Sequence, residues 1–167
     1  HALHDLIVVR NRSEIVGSEL RETLLKRVRF EGVTGIIFVA SLSDYDQKMF
    51  EDETTNRMKD SVYLFRDICA NPAFAETPII LFLNKRDLFQ KKIRDVRIGG
   101  EGCFRDYDGP PNDYAAGVDY FLRYFLKQNR DPDRKVFHHV TCATDTANVQ
   151  VVMDSTRAMI IQDSLNF

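Results

Sequence analysis

Two unbroken apolar runs constrain the fold of this chain more than any other feature: Gly35-Ile36-Ile37-Phe38-Val39-Ala40 and Ile79-Ile80-Leu81-Phe82-Leu83. Both are rich in β-branched and aromatic side chains and neither alternates with polar residues, so each must be covered on two faces, as in the interior of a parallel sheet. Between them Met58, Val62, Phe65 and Cys69 recur at helical spacing, and Asn71-Pro72 stops the helix. The result is a strand-helix-strand unit. Farther on, Tyr114, Val118, Phe121, Leu122 and Phe125 mark one helical face, Lys135 to Thr141 reads as a strand, and Val149, Val152, Met153, Thr156 and Ile160 mark a final amphipathic helix. The stretch after Asp87, through Gly99-Gly100, Gly102 and Gly109-Pro110-Pro111, reads as surface loop with turns. This alternation predicts an α/β doubly wound domain: a mostly parallel sheet, helices on both faces, and ligands at the carboxyl ends of the strands.

At 167 residues and 44% hydrophobic content, one domain with a real core is expected. A net charge of −2 and a pI near 6.1 give no field that favours nucleic acid or an anionic membrane. Cys69, Cys103 and Cys142 are scattered and odd in number, which fits a reducing, cytoplasmic setting. The apolar runs are too short to span a bilayer, so no transmembrane segment is expected, and no leader or lipid-anchor motif is read. The initial His1 suggests a fragment or a truncated reading of its gene.

The second apolar run ends in Asn84-Lys85-Arg86-Asp87. A carboxylate can accept two hydrogen bonds side by side, and guanine offers two such donors, its ring N1-H and its 2-amino group, where adenine has neither. An Asn amide can tie neighbouring loops together, and the aliphatic stem of Lys85 can lie along a flat ring. By itself this tetrapeptide reads equally well as a charged turn. A second strand end, Val140-Thr141-Cys142-Ala143-Thr144-Asp145-Thr146, adds small residues that let a backbone N–H reach a ligand, with Ala143 aimed at the guanine O6.

With these two segments the chain resembles the α subunits of heterotrimeric G proteins, in which Asn-Lys-x-Asp and Thr-Cys-Ala-Thr strand ends together hold guanine. The resemblance takes in Phe30-Glu31-Gly32-Val33-Thr34-Gly35-Ile36-Ile37-Phe38, Ala40-Ser41-Leu42-Ser43-Asp44-Tyr45-Asp46, Glu51-Asp52-Glu53, Asn56-Arg57-Met58 and Asp145-Thr146-x-Asn148-Val149-Gln150. It implies a single partial Ras-like domain over 1–167, divergent over 1–29 and family-like over 30–167. It also implies a guanine site of Asn84, Lys85, Asp87, Cys142, Ala143 and Thr144. The family's cofactors would be GTP or GDP with Mg2+. Its partners would be a βγ dimer, a G-protein-coupled receptor and an effector, in a cytoplasmic location or at a membrane periphery reached through those partners.

Other family parts are not read in this chain. No glycine is followed by lysine, so the Gly-x-x-x-x-Gly-Lys-Ser/Thr phosphate loop is absent, and with it the residues that would hold Mg2+. The family's Asp-x-Gly-Gly-Gln-Arg aligns either with Ile15-Val16-Gly17-Ser18-Glu19-Leu20 or, with a gap, so that Asn11 takes the Gln position. Neither alignment retains the motif. No residue is therefore assigned a catalytic or metal-binding role, and GTP hydrolysis by this chain alone is expected to stay at background. Two charge-assisted hydrogen bonds to a base contribute about 3 to 6 kcal/mol. Immobilising a ligand costs about 4 to 15 kcal/mol, so base-only binding is expected to be millimolar or weaker. The alternatives are a non-catalytic interaction module, presenting the helix from Phe50 to Cys69 and the following loop, and a truncated product without function.

Several residues have plainer roles. Phe121, Tyr124 and Phe125 read as helix packing. His138 and His139, adjacent on a strand, point to opposite faces and cannot share a zinc ion. Glu51-Asp52-Glu53 reads as a solvated helix start. Asp5 to Val9 is expected to take the central place beside Gly35 to Ala40 left by a missing first strand, with Ser18 to Phe30 forming a helix packed through Leu20, Leu24 and Val28. The alternative is an edge hairpin of Leu6 to Val9 with Glu14 to Val16.

Overall fold

The structure, a computed structural model, describes residues 6–10, 35–50, 52–100, 103–142, 150, 154 and 158. Its sheet has four strands, β1 (Leu6–Arg10), β2 (Gly35–Ser41), β3 (Ile79–Asn84) and β4 (Val136–Val140), in the order β1-β2-β3-β4. All three pairings are parallel. Leu6 pairs with Gly35 and Val9 with Phe38, so the N-terminal run lies beside β2 as the sequence predicts, but among the described strands it stands at the edge of the sheet and not in a central place. Asp5, the Ser18 to Phe30 helix and the Glu14 to Val16 arm of the alternative hairpin lie outside the described residues.

Helix α1 (Arg57–Ala70) connects β2 to β3. Asn56 caps its start, accepting from the Lys59 N–H at 3.1 Å and donating from Nδ2 to the Tyr45 carbonyl at 2.7 Å. The helix stops at Asn71, whose Oδ1 accepts from the Ala73 N–H and which is followed by a one-turn 3-10 helix opening on Pro72. Helix α3 (Tyr114–Leu126) is capped in the same way by Asp113, which accepts from the Ala116 N–H at 2.8 Å.

These helices pack on one face of the sheet. Phe38 of β2, fully buried, meets Phe65 of α1 edge-on at 5.1 Å and Phe125 of α3 at 6.1 Å. Each such side chain contributes about 1.5–3 kcal/mol by leaving water. Phe121 and Phe125 are fully buried and Tyr124 is half-buried, so the aromatic residues of α3 are packing residues, as read from their spacing. The opposite face carries a second buried cluster of Ile37, Ile80 and Phe82, with Val39 and Phe137 packed on it. The final helix expected over Val149 to Ile160 is described only at Gln150, Asp154 and Ala158, all helical, with Gln150 Nε2 donating to Asp154 at 3.0 Å. No helix among the described residues is long and apolar enough to cross a membrane.

Two readings need correction. The stretch after Asp87 is not loop from its start: α2 (Arg86–Lys92) forms there, with Phe89 wholly buried and Ile93 buried one turn on. Nor is the remainder a simple surface segment. Ile98 and Phe104 are buried, and Gly99 turns the chain at φ +82°. Two apolar anchors within seven residues were too few to show a period. Asp52 and Glu53 lie in an exposed turn ahead of α1, not in its first turn. Asp52 holds that turn by accepting from the Thr54 N–H at 2.9 Å and from the Thr54 and Thr55 hydroxyls. These bonds keep its carboxyl down at about 2.

Candidate functional site

Parallel pairing brings the carboxyl ends of β2, β3 and β4 to one edge of the sheet, where open α/β sheets hold their ligands. Ser41 pairs with Asn84, and Leu83 with Val140. Beyond the last pair, the Thr141 N–H donates to the Leu83 carbonyl at 2.8 Å and the Arg86 N–H donates to the Thr141 carbonyl at 3.2 Å. The Thr141 hydroxyl donates to Asn84 Oδ1 at 3.4 Å. The two strand ends singled out in the sequence are thus stitched together by backbone and side chain alike.

Asn84 Oδ1 also accepts from the Lys85 N–H at 2.7 Å. That bond holds a demanding conformation, because Lys85 lies in the left-handed region at φ 60°, ψ 38°. An L-residue gives up about 1–2 kcal/mol there. The bend turns the chain from β3 straight into α2, whose Phe89 N–H donates to the Lys85 carbonyl at 3.0 Å. Asp87 is thereby delivered in the first turn of α2, at the edge of the sheet.

The Asp87 carboxyl is held below its ordinary range. The largest cause is a hydrogen bond from the Cys142 thiol; the Leu88 and Asp87 amides and the charge of Lys91 act the same way against a smaller opposing effect of burial. Asp87 is therefore an ionised acceptor at neutral pH. Cys142 itself is buried.

A neighbouring cluster was not read as part of the site. After β2 a one-turn 3-10 helix, Leu42–Asp44, directs Asp44 toward the Lys85 side chain. Asp44 Oδ1 accepts from the Ser41 hydroxyl at 2.8 Å and the Ser43 hydroxyl at 3.4 Å, and lies 3.9 Å from Lys85 Nζ. Lys92 of α2 reaches back to the same loop, donating to the Ser43 carbonyl at 2.8 Å and to Asp46 at 2.7 Å. Tyr45 joins them by donating to the Val96 carbonyl at 2.7 Å, and burial pushes its phenol well above the usual range. The available clue was position: Ser41-x-Ser-Asp follows a strand end that lies level with Asn84.

Asn84, Lys85, Asp87 and Cys142 are therefore brought together, while Ala143 and Thr144 lie outside the described residues. His138 is exposed and His139 packs on Phe82 at 5.7 Å between ring centres, so the two rings take opposite faces of β4. Among the described residues no three His, Cys, Asp or Glu side chains are grouped to hold a metal ion. The arrangement can present an ionised carboxylate and a lysine stem to a flat ring that carries adjacent N–H donors. A family model described as G-protein alpha subunit matches residues 19–160 of the chain.

Proposed function

We propose that this chain, which belongs to the G-protein α-subunit family, takes up guanine nucleotides by the base, through Asn84, Lys85, Asp87, Cys142, Ala143 and Thr144. The observation that carries this reading is the join between the two strand ends. Asp87 is ionised and bonded to the Cys142 thiol, while Arg86 and Thr141 are linked through their backbones. The family supports a nucleotide-binding role in signal transduction. Within it, Asp87 would accept from the guanine N1-H and 2-amino group, Lys85 would lie along the ring, and the Ala143 amide would donate to O6.

In the same reading the chain is part of a GTP-dependent transducer of receptor signals, with a βγ dimer, receptor and effector as partners of the complete protein. The phosphates and Mg2+ would need groups that this sequence does not supply in the family's usual form, because no glycine precedes a lysine. The transfer of a phosphoryl group rests on positioning and charge around that group. Glu19, in one alignment, is no replacement for the family Gln, since an ionised carboxylate cannot donate to a phosphate oxygen. The chain is thus proposed to bind the base weakly and not to hydrolyse GTP. A single-turnover assay with Mg2+ and radiolabelled GTP tests this. Phosphate release at the buffer rate is expected, and release above it that disappears in Asp87→Ala would refute the proposal.

The second reading, a non-catalytic interaction module, is favoured by Phe50. It is 87% exposed on a turn held by the Lys48–Asn56 pairing and by the Met49 N–H to Thr55 carbonyl bond at 2.8 Å. Capture of a partner that Phe50→Ser abolishes while guanine binding persists would support it.

A further inference from the structure

We infer that Asp44 is a positioning residue for base recognition: it fixes the lysine that lies along the ring, and so contributes to affinity without touching the ligand. The inference rests on the guanine-base reading of the site.

Lys85 is a long, flexible side chain, and about half of it is exposed. Left alone, such a chain samples many rotamers and loses that freedom when pinned against a ligand. Here it is held at both ends. Its amide is bound to Asn84 Oδ1 at 2.7 Å, and its ammonium lies 3.9 Å from Asp44 Oδ1. The alkyl stem between these points is the part that would cover the purine face. Asp44 is held more firmly than its partner: only 19% of its side chain is exposed, and the Ser41 and Ser43 hydroxyls both donate to the oxygen that faces Lys85. The two hydroxyls also lie within 3.0 Å of each other. This fixes the anchor before any ligand arrives.

The anchor belongs to the same frame as the base site. Ser41 is level with Asn84 across the β2–β3 pairing, and Lys92 of α2 clamps the 43–46 loop through the Ser43 carbonyl and Asp46. Movement of Asp44 is therefore restrained by the two elements that flank Lys85, namely β3 and α2. Because the pair is partly exposed, its effect should be small and sensitive to salt.

The test is a set of titrations of the full chain with guanosine 5′-monophosphate, read by NMR shifts at low and high salt. Asp44→Asn is expected to weaken binding about threefold at low salt and less at high salt. Asp44→Glu should recover part of the loss. Lys85→Met keeps an apolar stem and removes the ammonium, and in that background Asp44→Asn should change nothing. Equal losses in the two backgrounds would mean that Asp44 acts on the loop structure and not through Lys85, which overturns the inference. So would an Asp44→Asn chain that binds as tightly as the parent. If the parent chain takes up no guanosine monophosphate, the base-site reading falls and takes this inference with it, whereas binding without coupling refutes the inference alone.

Discussion

Replacing Asn56 should cost the domain more than its polar character suggests, because one buried amide serves two otherwise unsatisfied backbone groups. Its Oδ1 accepts from the Lys59 N–H at 3.1 Å, and its Nδ2 donates to the Tyr45 carbonyl at 2.7 Å, with the residue only 4% exposed. Asn56→Ala removes the helix cap, at about 1 kcal/mol, and leaves a buried carbonyl unpaired, at about 1–3 kcal/mol. The sum is about 2–4 kcal/mol, or a fall of about 4–16 °C in melting temperature for a domain of this size. Asn56→Ser separates the terms. Serine can still cap α1 but is too short to serve as both cap and tie to Tyr45, so it should lose only the carbonyl part. Urea unfolding followed by circular dichroism measures both variants. A loss below about 1 kcal/mol for Asn56→Ala, or equal losses for the two, would refute the assignment of separate roles to the two ends of the amide. The consequence extends to the site, because Tyr45 follows Asp44 directly.

Asp87→Asn should reduce discrimination of guanosine over adenosine monophosphate by about tenfold, since an amide offers one acceptor oxygen to two donors; competition titrations measure the ratio, and an unchanged ratio would show that the base is read elsewhere. Gly99→Ala should destabilise by about 1–2 kcal/mol, because φ is +82° and a Cβ would lie 3.0 Å from the Phe104 carbonyl oxygen; denaturant melts check it. His139 has its pKa lowered, first by burial and then by the charge of His138. The unfolded chain therefore takes up a proton near pH 6.5 that the folded chain resists, so this contribution to stability is complete above about 6.5 and is lost as pH falls toward the folded value. His139→Phe should flatten that slope in unfolding curves measured against pH.

The sheet was legible because β2 and β3 are covered on both faces, which leaves no polar alternation to confuse the reading. Helix α1 was legible because four apolar residues repeat over a long span between a cap and a proline. Helix α2 was not, since Phe89 and Ile93 alone carry its buried side and neighbouring charges obscure them. In the candidate site, the places of Asn84, Lys85, Asp87 and Cys142 could be read because two short motifs mark the strand ends that carry them. The contacts of Asp44, Ser41 and Thr141 could not, because they arise only when parallel strands align their carboxyl ends.

The central question for this chain is whether those aligned strand ends read guanine. An isotope-labelled chain titrated with guanosine 5′-monophosphate, and separately with adenosine 5′-monophosphate, would show it amide by amide. Saturable shifts at Lys85, Asp87, Cys142 and Ala143 with the guanosine nucleotide, in the millimolar range and absent with the adenosine one, are predicted. Equal shifts from both nucleotides, or shifts confined to residues away from the ends of β3 and β4, would contradict it.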